Sequence, residues 1–347
     1  MSPQSKKDNR SMKSEQESSR MRPALRTMTP RPIVFLLSFL VSPLALFASV
    51  DPGLLGLVPA ETVVLSGVDA TSAKNSQFGQ FLLSRMNGSD SNFQNAMEQT
   101  GFDPRRDLQS FLFAGFGPRQ AQGRSKFAIL ARGTFDEQRI ASAAQAKNGA
   151  TEQSYGGLTV YVNKTRNGRT TAFAFPDTGI AVMGDLATVE EIIDHRSTPS
   201  SLDPGLVQRV NKVGSTNDMW FASLLSGSAL GTNPSLIFGQ QLNATQALKA
   251  VLQASGGVQF GSIVQVSLDA TTRSAQDAGS LSDVIRFLAN MIETQGQSNP
   301  QTALLAKAMG GMNLQTSGSD VLVSMSLPEQ DLEQLAQLQT QVKPHAR

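Results

Sequence analysis

The chain has two residues suited to acid–base chemistry near neutral pH, His195 and His345. His195 lies in the run "IIDHR", next to Asp194, in the last turn of a predicted helix. A general base held by Asp194 and aimed at a serine would make a hydrolase, but that needs three groups brought together. The same position also suits an imidazole that settles the negative end of a helix. We read His195 as a helix-end residue and assign no catalytic residue; the alternative is a hydrolase using His195 with a Ser and an acidic residue. His345 falls in the tail "KPHAR".

Other chemistries have less to work with. There is no cysteine, which removes thiolate nucleophiles, thiolate metal sites and disulfides. No H-E-x-x-H and no pair of neighbouring histidines occurs, so no metal is expected. Glu190, Glu191 and Asp194 sit on one short helix, where a solvated acidic face is expected rather than carboxylates converging across a cleft. "GFGPRQAQG" lacks phosphate-loop spacing, and no cofactor is expected. The anion-binding candidates are Arg119, Arg124 and Lys126, which lie in "GPRQAQGRSK" without a local acid. Arg105 and Arg106, in "FDPRRDLQ", have Asp103 and Asp107 beside them and should be neutralised.

The elements that must position these groups follow from the apolar pattern. "TVVLSGV", "SFLFAGF", "KFAILARG", "IAVMG" and "MWFASLL" read as strands. "SQFGQFLLSRM", "EQRIASAAQAK", "ATVEEIIDH", "LVQRVNKV" and "NATQALKAVLQAS" read as helices. In "LTVYVNKTRNGRTTAFAF", Asn167-Gly168 is a pair preferred in two-residue hairpin turns. That turn would set Val162 opposite Phe173 and Val160 opposite Phe175, forming one apolar stripe. The result is an α+β fold: antiparallel sheet with helices mainly on one face, built as two diverged copies of a strand–helix plus strand–strand–helix module. The modules are expected over 62–200 and 201–340, before a mobile tail at 341–347.

The chain begins differently. Residues 1–32 hold eight Lys/Arg and three acids, net +5, and the overall charge of +2 leaves the body at −3. The body therefore offers no basic footprint for nucleic acid. The leader is too polar to fold, and its true start falls at Met1, Met21 or Met28. Residues 33–48 form an apolar run short for a spanning helix but suited to a signal peptide cut after Ala48, or else to an N-terminal anchor. Residues 49–61, with Pro52, Gly53 and Pro59, read as a linker.

"LVPAET" running into "VVLSGVD", followed by "DLQSFLFAG", "YGGLTVYV", "AFAF" and "GDLATVEEII", resembles a loose group of exported bacterial proteins of unknown function. Their mature regions open with an L-V-P-A-[DE] strand start. The resemblance implies export and carries no activity or site residue. The reading is an exported periplasmic or cell-envelope protein with a non-enzymatic binding or structural role. Its partner would be an apolar small molecule or an envelope protein, with membrane contact only through the N-terminal segment.

Overall fold

The structure, a computed structural model, describes residues 50–85, 91–117, 126–164, 168–227, 244–296 and 300–334. A short helix α1 (Pro52–Leu55) precedes β1 (Thr62–Asp69). Helices α2 (Ala70–Asn75), α3 (Gln77–Arg85), α4 (Ser91–Thr100) and α5 (Pro104–Asp107) lead to β2 (Leu108–Phe116) and β3 (Phe127–Gly133). Next come α6 (Glu137–Asn148), the strands β4 (Thr151–Tyr155), β5 (Leu158–Lys164), β6 (Thr170–Asp177) and β7 (Ile180–Asp185), and α7 (Leu186–Asp194). The second half holds α8 (Pro204–Gly214), β8 (Met219–Ser223), α9 (Ala244–Lys249), β9 (Val251–Gln259) and β10 (Ile263–Thr272). It closes with α10 (Ala275–Gly296), α11 (Pro300–Gly310), β11 (Asn313–Ser317) and β12 (Asp320–Pro328).

The described strands form one twelve-stranded sheet in the order β11-β12-β10-β9-β8-β1-β2-β3-β7-β6-β5-β4. Every pairing is antiparallel. The fold is thus α+β, as the sequence pattern implies. The two halves meet at the β1–β8 seam, and each runs outward through its first, second and third strands before turning back to its last.

Alternation gives the sheet two sides, named here after the seam neighbours Trp220 and Met219. On the Trp220 side, Leu65, Leu112, Leu130, Val182, Ala174 and Val160 form the floor of the largest core. Leu54 of α1, Val189 and Ile192 of α7, and Leu206 and Val210 of α8 close it. On the Met219 side, Val258, Val264 and Leu327 pack against Phe78 of α3, Ile292 of α10 and Leu305 of α11. Each half is thus covered chiefly on one side, and the two halves use opposite sides.

Several expectations are corrected. Residues 50–61 are not a bare linker: Asp51 caps α1 by accepting from the amides of Gly53 and Leu54, and Leu54, Leu57 and Val58 are buried. The helix read through Ser255 stops at Lys249, because residues 251–255 pair with β10 (Ala254 opposite Ala270, Val251 opposite Thr272). Here tertiary pairing overrides a weak helical preference. β4 was not anticipated; Gly156 and Gly157, at φ +54° and +76°, make the tight turn that folds it onto β5.

The largest correction concerns β5 and β6. β5 and β6 do pair antiparallel, but partners sum to 334 rather than 335: Val160 faces Ala174, Tyr161 faces Phe173 and Val162 faces Ala172, while Asn167 lies outside the described residues. Lys164 faces Thr170, so the connection is longer than a two-residue turn, and Arg169 stands outside the ladder. Its guanidinium bonds the Asp185 carboxylate at 3.1 and 3.2 Å and lies 4.7 Å from the Phe127 ring centre. A slip of one residue moves side chains to the other side of a sheet. Val160, Val162, Ala172 and Ala174 are buried on the Trp220 side, whereas Tyr161, Phe173 and Phe175 stand on the Met219 side.

The seam itself is sterically tight. A β-carbon on Gly67 would lie 2.3 Å from the Trp220 ring and 2.9 Å from Leu112. Gly67→Ala is therefore expected to destabilise by about 3 kcal/mol through overpacking. Gly279→Ala, in an open position of α10, should stabilise by about 0.5–1 kcal/mol. Urea unfolding of the two variants measures both shifts.

Candidate functional site

The covered halves leave two surfaces open. The first lies on the Met219 side of the N-terminal half. Phe113, Ile129, Met183, Phe173 and Tyr161 are successive cross-strand partners on β2, β3, β7, β6 and β5. They form one apolar row across five strands. Met183, near the middle, is 43% exposed, and the other four are partly exposed.

Aromatic rings border the row. Tyr161 stacks on Phe173 with centres 4.8 Å apart, Phe175 meets Phe173 edge-on at 6.0 Å, and Phe135 and Phe102 extend the chain of rings toward α4 and α6. Phe113 stacks on Phe127 at 6.4 Å, beneath Arg169. Burial and the carboxylates of Glu152 and Glu137 push the Tyr161 phenol up, so that end of the row is acidic.

The second surface is on the Trp220 side of the C-terminal half, where polar side chains lie beside the exposed Ile263 and Leu322. Gln265 and Ser267 of β10, Ser324 and Ser326 of β12, and Asn313 and Gln315 of β11 are exposed there. Helix α8 forms the wall. Arg209 donates to Ser255 Oγ (3.2 Å) and Thr271 Oγ1 (2.7 Å), and Lys212 pairs with the Asp269 carboxylate. Two shallow grooves of about 250 and 240 Å³ run along it, sharing Thr216, Asn217, Ser267 and Ser324.

The residues singled out by sequence go elsewhere. His195 caps α7, and its Nδ1 lies 3.3 Å from the Leu57 carbonyl. Asp194 accepts instead from the Tyr155 hydroxyl (2.9 Å), and Glu190 from Gln153 (2.7 Å). Among the described residues, no serine hydroxyl or carboxylate is hydrogen-bonded to His195. Lys126 is half-buried just before β3, and its carbonyl accepts from Phe116. Arg119, Arg124 and His345 lie outside the described residues. Arg105 and Arg106 are taken up by Asp103 and Asp107, as their spacing implies. The apolar row was not foreseen. Its residues are visible in the sequence, but what aligns them is pairing between distant strands, and only the place of Tyr161 in the row depends on the β5–β6 register.

No family model matches the chain, and no curated protein matches it. Among solved structures, crystal form I of TP0453 is similar to it, with 13% identity and a TM-score of 0.48 over 84% of this chain and 98% of that one. Among the described residues no helix is long and apolar enough to cross a membrane; residues 33–48 lie outside them.

One ionic node holds the start of the body against the sheet. The Asp51 carboxylate accepts from Arg132 and from Ser110 Oγ (3.2 Å), besides the amides of α1. Burial alone would raise its pKa, but Arg132 and the two amides outweigh burial and hold it below the usual carboxylate value. A depressed folded pKa means stability that is present above the unfolded value of about 3.9 and is lost as pH falls through the folded one. Asp51→Asn should cost about 1–3 kcal/mol at neutral pH. Its deficit against the parent should shrink below about pH 4, measured by urea unfolding across pH.

Proposed function

We propose that this is an exported, cell-envelope-associated protein that binds a partner protein through the apolar row and performs no chemistry of its own. The carrying observation is the row itself: five cross-strand apolar side chains left partly exposed on the Met219 side of the sheet, Met183 most of all. An exposed apolar patch of this kind marks an interaction site more often than a structural necessity. The row is shallow and straight, which fits an extended apolar surface better than a small molecule.

The other half supports the choice of partner. There the Met219 side is covered by α10, whose Ala278, Leu281 and Ile292 are buried against the sheet side of the helix. A partner presenting an amphipathic helix would cover the first half in the same manner. The similar strand order of the two halves also supports an origin by duplication, with the second copy having acquired a longer helical cover. Export rests on the basic leader, the apolar run 33–48 and the resemblance of "LVPAET" onward to exported proteins.

Two measurements test this. A photo-crosslinking residue at Met183, read in intact cells, should give one discrete protein adduct that Phe173→Glu on the same chain abolishes. No adduct, or the same adduct from Leu322 on the opposite side, would overturn the assignment. N-terminal sequencing of the protein from the envelope fraction should begin at Ser49; an N-terminus upstream of residue 33 would show the apolar run retained as a tether.

A further inference from the structure

The sheet has two outer strands among the described residues, β4 and β11, and they are chemically unlike. An outer strand exposes unpaired backbone donors and acceptors, and proteins commonly guard it with charge, proline or a bulge. β4 is guarded. It carries Glu152 in its own sequence, and α7 sets Glu190 and Asp194 against Gln153 and Tyr155. β11, with the sequence Asn-Leu-Gln-Thr-Ser, has no charge and no proline, and its register with β12 runs without a break.

The pairing pattern shows which groups are free. Ser317 and Asp320 close the two-residue turn at Gly318–Ser319, so they are the hydrogen-bonded pair. Counting back, residues 313, 315 and 317 turn their N–H and C=O groups toward β12. Leu314 and Thr316 turn theirs outward.

We propose that β11 pairs antiparallel with β11 of a second copy of this chain, about a two-fold axis at Gln315. In that register Leu314 of one copy faces Thr316 of the other, twice, and the outward groups of both strands are satisfied together. Gln315 meets Gln315 and Asn313 meets Ser317, so no charge opposes another and polar side chains meet polar ones. The pairing is isologous and therefore closes at two copies. A β11–β4 pairing would leave ends free to extend, and it would set the neutral strand against the acidic edge with no basic residue to answer it.

The second copy also completes a surface. Asn313 and Gln315 line the polar groove on the Trp220 side. Pairing at β11 joins the grooves of the two copies into one floor across the axis, with Leu322 among its hydroxyl and amide groups. This interface lies at the far edge from the apolar row, and its test does not depend on the partner proposed for that row.

The test is light scattering on the full chain over a concentration series, with three variants. The parent should reach twice the 37.0 kDa chain mass. Thr316→Pro, which removes one outward N–H and no bond to β12, should run as a single chain with an unchanged thermal melt. Gln315→Lys and Gln315→Glu should each run as single chains, because like charges meet at the axis, and should recover the doubled mass when mixed. A parent that stays at one chain mass overturns the proposal. So does a doubled mass that survives all three substitutions, which would place the interface elsewhere.

Discussion

The sheet depends on one close approach, that of the Trp220 ring to the backbone of Gly67. Trp220 is fully buried at the centre of the β1–β8 seam, between Leu112 and α8, and it occupies the space that any side chain at residue 67 would need. Gly214 of α8 lies against the same ring, and Val50 against Gly214, so the start of the body and the first helix of the second half converge on this point. The seam makes twelve strands one sheet. A continuous sheet lets each half be covered on one side while the other side stays available.

Much of this architecture was legible in the sequence, because it rests on local chemistry. Asp136 and Gly149 bound α6, Gly101 follows α4 with φ +72°, and Asp203 caps α8 ahead of Pro204, all as their types imply. The runs read as strands at 62–68, 110–116 and 126–133 and as helices at 137–147 and 187–195 fall on β1, β2, β3, α6 and α7. What failed were features set by distant partners. Residues 251–255 form a strand because β10 is there to pair with them, and α1 forms because Arg132 and Ser110 hold its cap in place.

The candidate site shows how small a difference can hide a surface. Residues 158–175 were correctly read as a hairpin, yet the expected turn put Val and Phe on one side. The observed pairing is displaced by one residue, with Arg169 outside it and held by Asp185 and the ring of Phe127, and Val and Phe fall on opposite sides. The small residues Ala172 and Ala174 then sit beneath α7, where Val189 and Ile192 need room, and the rings go to the open side. Asp185 stands at the N-cap of α7, a position its type suits, but its carboxylate makes no capping bond and bonds Arg169 and the Phe127 amide instead. His195 illustrates the converse: a residue conspicuous by type proves to hold the chain at Leu57.

The two partly exposed surfaces differ in composition: the first is a continuous apolar row across five strands, and the second mixes polar and apolar side chains. Where β10, β11 and β12 turn that side outward, Gln265, Ser267, Asn313, Gln315, Ser324 and Ser326 are exposed beside the apolar Ile263 and Leu322. The same sheet could have carried polar residues at 113, 129, 173 and 183. Burying apolar area yields roughly 25 cal/mol per Å², so leaving Met183 and its neighbours partly exposed forgoes stabilisation that a covering helix would recover. That unrealised burial is the physical basis on which a partner could associate, and it centres on Met183.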